Sequence, residues 1–147
     1  MKLNLKFIIA LVLFANCTTL VAQNTRTKPV ESIDSNTYLL TEITTDKTYG
    51  KEKNPVSVGG VKSKSGPSNE RRFLNSLLGP NGESVGYKRA GSCCPFKTSN
   101  GIINESGMLD HYRVYYQGKK DTLDIYINMY DEGDLKIPVG FTAKKPQ

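Results

Sequence analysis

The clearest pattern of hydrophobic and polar positions lies in the last third of the chain, where two runs alternate between apolar and polar side chains. The polar segment Gln117-Gly118-Lys119-Lys120 separates them. Such alternation is typical of strands with one buried face. The sequence therefore predicts a β-hairpin with one core face and one wetter, tyrosine-rich face. The core face comprises Tyr112, Val114 and Tyr116 in the first run, and Leu123, Ile125, Ile127 and Met129 in the second.

A helical repeat precedes this hairpin. The apolar residues that recur at helical spacing are Phe73, Leu74, Leu77 and Leu78. Pro67-Ser68-Asn69 offers an N-terminal cap, and Glu70 complements the partial positive charge of a helix N-terminus. Gly79-Pro80-Asn81-Gly82 ends the helix. We expect the apolar stripe to pack on the core face of the hairpin.

Shorter segments predict the remaining strands, which are Tyr38–Thr44, Val56–Val61, Ser84–Arg89 and an edge strand at Ile137–Phe141. The segment Ile137–Phe141 is predicted at a sheet edge because Pro138 has no backbone N–H to donate to a neighbouring strand. Gly59-Gly60 predicts a bulge or a close approach of backbone. The predicted fold class is α+β, a small antiparallel sheet with one packed helix.

The first 22 residues have the pattern of an export signal. Lys2 and Lys6 precede an apolar run from Phe7 to Phe14, which is far shorter than the roughly 20 residues that span a bilayer. Cleavage after Ala22 would leave Gln23 as the first residue, and this is the route that we predict. The alternative is lipidation of Cys17, which would anchor the protein in a membrane. Both routes predict an exported protein, periplasmic or anchored in the envelope.

Removal of these 22 residues from the 147 leaves 125, enough for one modest domain. Residues 23–37 are polar and have little to bury, so they predict a flexible tether. Residues 38–147 form the single α+β domain of this interpretation. A (β/α)₈ barrel is excluded, because it needs about 200 residues or more.

Charge narrows the set of partners. The net charge of +6 falls to +4 once Lys2 and Lys6 leave, and the remaining cations are scattered rather than arranged in a stripe with aromatic residues. This argues against a nucleic-acid partner. Four cations flank the cysteine pair in sequence and are candidates for an anion-binding pocket: Arg71, Arg72, Arg89 and Lys97.

The adjacent pair Cys93-Cys94 is the one unusual chemical feature. In an exported chain the two thiols are expected to be oxidised. Neighbouring Cα atoms lie about 3.8 Å apart, closer than the usual disulfide range, so their bond closes a strained eight-membered ring. The ring is interpreted as a device that fixes a tight turn before Pro95. A redox switch and a rigid hydrophobic binding plate remain as functional alternatives.

Motifs for other chemistry are weak. The sole histidine, His111, is predicted on the solvent side of a strand rather than as a metal ligand or base. Asp131, Glu132 and Asp134 lack the ligand spacing of a calcium loop and are interpreted as a polar turn. The sequence predicts neither a metal nor a cofactor, and it assigns no catalytic residue.

Several segments resemble a family of short Gram-negative envelope proteins, often lipoproteins. The resemblance covers most of Asp46 to Phe141 and is carried by Asn69-Glu70-Arg71-Arg72-Phe73-Leu74-Asn75, Gly79-Pro80-Asn81-Gly82, Gly91-Ser92-Cys93-Cys94-Pro95-Phe96-Lys97-Thr98 and Tyr126-Ile127-Asn128-Met129-Tyr130-Asp131. Members of this family often carry the label 2-dehydro-3-deoxyphosphooctonate aldolase. That label implies a large barrel enzyme acting on cytoplasmic substrates, which conflicts with 125 exported residues.

Three functional hypotheses follow. The first is a non-enzymatic envelope domain that binds another envelope protein or a small anionic ligand, with membrane contact only through a lipid anchor. The second is a thiol-redox protein centred on Cys93 and Cys94. The third is the aldolase of the family label, disfavoured by size and export.

Overall fold

The structure, a computed structural model, describes residues 25–147, so the predicted signal peptide and Cys17 lie outside the described residues. Residues 25–147 form one helix and eight short or long strands, the small α+β fold that the sequence predicts. No helix in this range is long and apolar enough to cross a bilayer. In chain order the elements are β1 (Ser32–Asp34), β2 (Thr37–Tyr38), β3 (Val56–Ser57), α1 (Gly66–Ser76), β4 (Leu77–Leu78), β5 (Val85–Lys97), β6 (Ser106–Tyr116), β7 (Leu123–Asn128) and β8 (Thr142–Ala143).

The main sheet has four strands in the order β3-β7-β6-β5. Strands β5, β6 and β7 are antiparallel, whereas β3 joins β7 in parallel. Tyr112 lies opposite Ile125 and Val114 opposite Leu123, which confirms the predicted hairpin and its core face. Strand β5 continues eight residues beyond the predicted end at Arg89. Two bulges in β5 interrupt the alternation that would have predicted this extension.

Helix α1 is shorter than predicted. It ends at Ser76, and Leu77 and Leu78 form β4, which pairs with β8 near the C-terminus. The predicted cap Pro67-Ser68-Asn69 lies inside the helix, and the N-cap residue is Ser65, whose side chain makes no capping hydrogen bond. Leucines suit both helices and strands, so their spacing did not reveal that a distant strand would pair with them.

The core lies between α1 and the main sheet, as predicted. Phe73, Leu74 and Leu77 pack in one cluster with Ile125 and Ile127, and each is at most 3% exposed. Leu78 is partly buried, and Leu123 and Met129 pack against the edge of the cluster. The other members are Tyr38, Leu40, Val56, Val58, Tyr112, Val114, Ile137 and Phe141.

A glycine pair positions the start of the helix. Gly60 has a φ of 107°, and a β-carbon there would lie 2.9 Å from the Gly66 nitrogen and 2.5 Å from Nδ2 of Asn69. A side chain would therefore push the helix away. The close approach of backbone predicted at Gly59-Gly60 is confirmed, and only Val56 and Ser57 of the predicted strand Val56–Val61 pair as β3.

Two other predicted strands are largely absent. Of Tyr38–Thr44, only Tyr38 belongs to a strand, and Ile43 makes one parallel bridge to Ile137. The predicted edge strand Ile137–Phe141 consists of that bridge and a turn before β8. The Ile137 amide donates to the Glu42 carbonyl at 2.7 Å, so tertiary hydrogen bonds replace a regular ladder in both segments.

The segment before β2 does not behave as the predicted tether. The amides of Thr25 and Arg26 donate to the Glu132 carbonyl at 2.7 and 3.0 Å. The Arg26 guanidinium donates to three further backbone carbonyls. These hydrogen bonds attach the polar segment around Thr25 and Arg26 to the folded domain, although it has little apolar surface to bury. The ordered unit therefore extends to Thr25 rather than beginning at Tyr38.

Candidate functional site

The predicted cysteine pair lies on the free edge of the main sheet. Cys93 and Cys94 are bonded to each other in β5, with Cα atoms 3.7 Å apart. Cys93 pairs with Leu109 and Pro95 with Met108, so Cys94 is the extra residue of a β-bulge. Its φ of 59° lies in the left-handed region that L-residues rarely adopt. The tight turn predicted before Pro95 is therefore a β-bulge, because the chain stays in β5 through Lys97.

A second bulge precedes the disulfide and brings together three polar side chains. Arg89 donates to Asp110 twice, from Nε to Oδ2 at 2.8 Å and from Nη2 to Oδ1 at 2.9 Å. The Ser92 hydroxyl also donates to Oδ1 of Asp110 at 2.8 Å, and Arg89 contacts Ser92. This bidentate pair fixes β5 on β6 immediately before Cys93.

Glu70 lies behind this group, on the face of α1 that packs against the sheet. It is 1% exposed, and the Tyr112 hydroxyl donates to its Oε2 at 2.8 Å. Its Oε1 is buried and accepts no hydrogen bond from residues 25–147, and the protonated carboxyl of Glu70 can share a hydrogen bond with the neighbouring Asp110 carboxylate. The predicted role at the helix N-terminus is wrong, because Glu70 lies beyond the first turn. Its spacing to Phe73, Leu74 and Leu77 is the signal that could have placed it on the core face.

The pKa values of Glu70 and Asp110 are shifted in opposite directions. Burial raises the pKa of Glu70 to about 7, and the neighbouring Asp110 carboxylate adds to that rise. Burial also opposes ionisation of Asp110, but hydrogen bonds from Arg89 and Ser92 outweigh it and lower the pKa of Asp110. The arrangement favours a protonated Glu70 below about pH 7 and an ionised Asp110. We call Glu70, Arg89, Ser92, Asp110 and Tyr112 the acid cluster.

The four cations predicted to bind an anion do not converge. Arg89 is paired with Asp110, and Lys97 lies eight residues further along β5, where its Nζ contacts the Asn104 carbonyl. Eight residues of strand span about 26 Å. Two of the four, Arg71 and Arg72, share a surface pocket of about 230 Å³ that is also lined by Asn36, Ser68 and Asn75.

His111 lies on the solvent side of β6, as the sequence predicts. Its Nε2 is 2.7 Å from Oδ1 of Asp124, and its ring stacks on Tyr126 with centroids 4.7 Å apart. Within residues 25–147, no three side chains of the metal-binding types His, Cys, Asp and Glu cluster together. His111 is thus engaged on the hairpin face and does not contact the cysteines.

One buried polar group was missed by the sequence analysis. Asp131 is 1% exposed and accepts hydrogen bonds from Thr98 at 2.5 Å, Asn100 at 2.9 Å and Asn128 at 2.9 Å. It joins the end of β7 to the far end of the β5–β6 hairpin. Its position in an acidic turn predicted exposure, and no pattern in the sequence distinguished it from Glu132 or Asp134.

Comparison of the chain with protein-family models, with curated proteins and with solved structures finds no match.

Proposed function

We propose that this protein is an exported, non-enzymatic binding domain of the cell envelope, and that the disulfide-bulged edge strand β5 is its binding surface. The observation that carries the proposal is the state of the reactive groups around the bulge. Cys93 and Cys94 are bonded to each other, and the acid cluster is bonded internally. Groups engaged in this way support a rigid surface rather than a reaction centre.

The backbone of β5 supports a binding role. The strand is 13 residues long and lies at the end of the sheet order, so its outer hydrogen-bonding groups face away from β6. An extended segment of a partner can add to such an edge by main-chain hydrogen bonds. The bulges at Ala90 and Cys94 restrict regular pairing to Val85–Arg89 at the start of the strand. Pro95, after the second bulge, lacks a backbone donor.

Charge supports a partner that is acidic. Lys88 and Lys97 are exposed on β5, whereas the charge of Arg89 is balanced by Asp110. A second copy of β5 laid along the first would bring like charges together, which disfavours self-pairing through this edge. An acidic extended segment of another envelope protein fits both the edge and its charge.

Photocrosslinking in Gram-negative cells tests the proposal. Benzoylphenylalanine replaces Lys88 on the open edge or, as a control, Lys120 in the exposed turn between β6 and β7. Discrete adducts from position 88, with none from position 120, are the expected result. Equal labelling from both positions, or labelling from neither, would contradict the binding surface.

Fractionation and intact mass of the same protein test export, with Gln23 as the expected first residue and a lipid on Cys17 as the alternative.

A second candidate function is thiol-disulfide exchange. The observation in its favour is that Cys93 and Cys94 are only partly buried, so a reductant can reach the bond. Thiol titration with and without reductant, followed by an insulin-reduction assay, separates the candidates. Turnover well above that of free cysteine supports exchange and displaces the binding proposal.

Aldol product formation from defined substrates tests the lyase of the family label, which the four-stranded sheet does not support.

A further inference from the structure

A polar pocket lies on the outer side of α1. It has a volume of about 230 Å³, and it is lined by Asn36, Ser68, Arg71, Arg72 and Asn75. The last four of these recur at the spacing of one helix face, which is opposite the core residues Phe73 and Leu74. Asn36 belongs to the turn between β1 and β2. We call the five lining residues the arginine pocket.

The two positive charges of the pocket have no acidic partner within residues 25–147. The ion pairs in this part of the chain are made by other cations, which are Arg26, Arg89, His111 and Lys136. None of the five lining residues carries a carboxyl group. Glu70 precedes Arg71 in sequence but is 1% exposed on the core side of the helix. Asp34 accepts a hydrogen bond from the Asn36 amide at 2.7 Å and belongs to none of these ion pairs.

Hydrogen bonds fix the Arg72 side of the pocket. The Nε of Arg72 donates to the Ser35 carbonyl at 2.9 Å, and its Nη1 donates to Oδ1 of Asn69 at 2.8 Å. The Nδ2 of Asn75 donates to the Asn36 carbonyl at 2.8 Å, which attaches the β1–β2 turn to the same helix face. The Nη2 of Arg72 has no hydrogen-bond partner among the described residues, so it is available to a ligand.

Arg71 supplies the other donors. Its Nη2 donates to Oγ of Ser68 at 3.3 Å, and its Nε and Nη1 have no partner in the described part of the chain. The Ser68 hydroxyl accepts this hydrogen bond and keeps its own proton to donate. A guanidinium presents its donors in a planar fork that fits the oxygen atoms of carboxylates and phosphates. The pocket therefore combines two guanidinium groups and a hydroxyl that can all donate to one oxyanion.

We propose that the arginine pocket binds a phosphate group, as inorganic phosphate or as a soluble phosphomonoester. A phosphomonoester carries a charge of about −1.5 to −2 at neutral pH and three strong acceptor oxygens. That charge matches two guanidinium groups that no carboxylate balances. A single carboxylate carries one charge, which one arginine fork satisfies.

The size of the pocket limits what it holds. Its volume of about 230 Å³ is below the roughly 300 Å³ at which pockets for drug-sized ligands begin. The pocket therefore suits the phosphate group itself or a small phosphomonoester. It lies on α1 rather than on β5, so this inference does not rest on the proposed role of the β5 edge.

Calorimetric titration of the full chain, purified in its processed form, tests the proposal. The probes are inorganic phosphate and glycerol 3-phosphate, with acetate as the carboxylate control. Both phosphate compounds should bind saturably, and the tighter of the two identifies the source of the group. Amide chemical shifts in NMR spectra should change mainly at Asn36 and at residues 68–75. Absence of saturable binding by both phosphate compounds, or acetate binding as tight as theirs, overturns the proposal.

Variants at Arg71 separate recognition from general charge. Arg71→Gln should weaken phosphate binding at least about tenfold. It should leave the circular dichroism spectrum unchanged, because Arg71 bonds only to Ser68 on its own helix within the described chain. Arg71→Lys keeps the charge but loses the fork, so it should weaken binding less. Lys120→Gln removes the same charge from an exposed turn and should bind as the wild type does. Equal weakening by Arg71→Gln and Lys120→Gln would overturn the site.

Discussion

The Tyr112 hydroxyl donates a 2.8 Å hydrogen bond to Oε2 of Glu70, joining the helix to the centre of the main sheet. Both side chains are buried, at 5% and 1% exposure. Burial and proximity to the Glu70 carboxyl together raise the pKa of Tyr112, as burial raises that of Glu70. The Glu70 carboxyl is therefore mainly protonated at pH values below about 7.

Glu70→Gln should remove a pH dependence of stability. The Glu70 pKa is about 7 in the folded protein and near 4.5 when unfolded, so the folded state binds more protons between these values. The free energy of unfolding should therefore fall as pH rises from about 4.5 to 7, by on the order of 3 kcal/mol, and then level off. The variant should lack that fall. Urea unfolding at several pH values measures it.

The exposed residue Glu52 supplies the control for this experiment, since Glu52→Gln should leave the pH profile of the wild type intact. Asp110 has a lowered pKa and loses its stabilising charge only at more acid pH, so the profile is compared above pH 5. A wild-type profile that is flat from pH 5 to 8 would show that Glu70 is ionised in the folded protein.

Leu77→Ala should destabilise the domain by about 2–5 kcal/mol. Leu77 is 1% exposed at the junction of α1 and β4, where truncation leaves a cavity in the core. Ile43→Ala is the matched control, because Ile43 is 62% exposed and its loss should cost less than about 0.5 kcal/mol. The melting temperatures of both variants, measured by thermal unfolding, test this difference in stability. Equal melting temperatures would contradict the helix-on-sheet core.

Asp131→Asn should loosen the loop between β5 and β6, which comprises residues 98–105. The new amide group would face donors from Thr98, Asn100 or Asn128, and an unsatisfied buried group costs about 1–3 kcal/mol. Hydrogen exchange should accelerate between residues 98 and 106 before it does so in α1. Asp121→Asn, at an exposed position, should change neither measurement. Uniform acceleration across the chain would argue against a local role.

Cys93→Ser/Cys94→Ser should keep the fold. The disulfide closes a ring within two residues, so its loss frees little chain in the unfolded state, and the bidentate Arg89–Asp110 contact still holds β5 to β6. Faster hydrogen exchange confined to residues 91–96 is the expected change. Global loss of the circular dichroism spectrum would instead make the ring a determinant of the fold.

The sequence by itself determined the hairpin β6–β7 and the face of α1 that meets it. Alternation at Tyr112, Val114, Ile125 and Ile127 and helical spacing at Phe73 and Leu74 are local consequences of which side chains must leave water. Adjacency of Cys93 and Cys94 likewise fixed the only geometry in which they could bond to each other, a local ring. These features follow from residues that are close together in the chain.

Only the tertiary structure decided the features that depend on distant partners. Leu77 and Leu78 left the helix because β8 pairs with them, and β3 lies parallel to β7 because the chain returns to the sheet after a long excursion. The tertiary structure also separates the four predicted anion-binding cations. Arg71 and Arg72 lie on α1, Arg89 is paired with Asp110, and Lys97 lies at the far end of β5. The burial of Asp131 and the attachment of Thr25 to Glu132 depend on hydrogen bonds across more than 30 residues, which no local periodicity encodes.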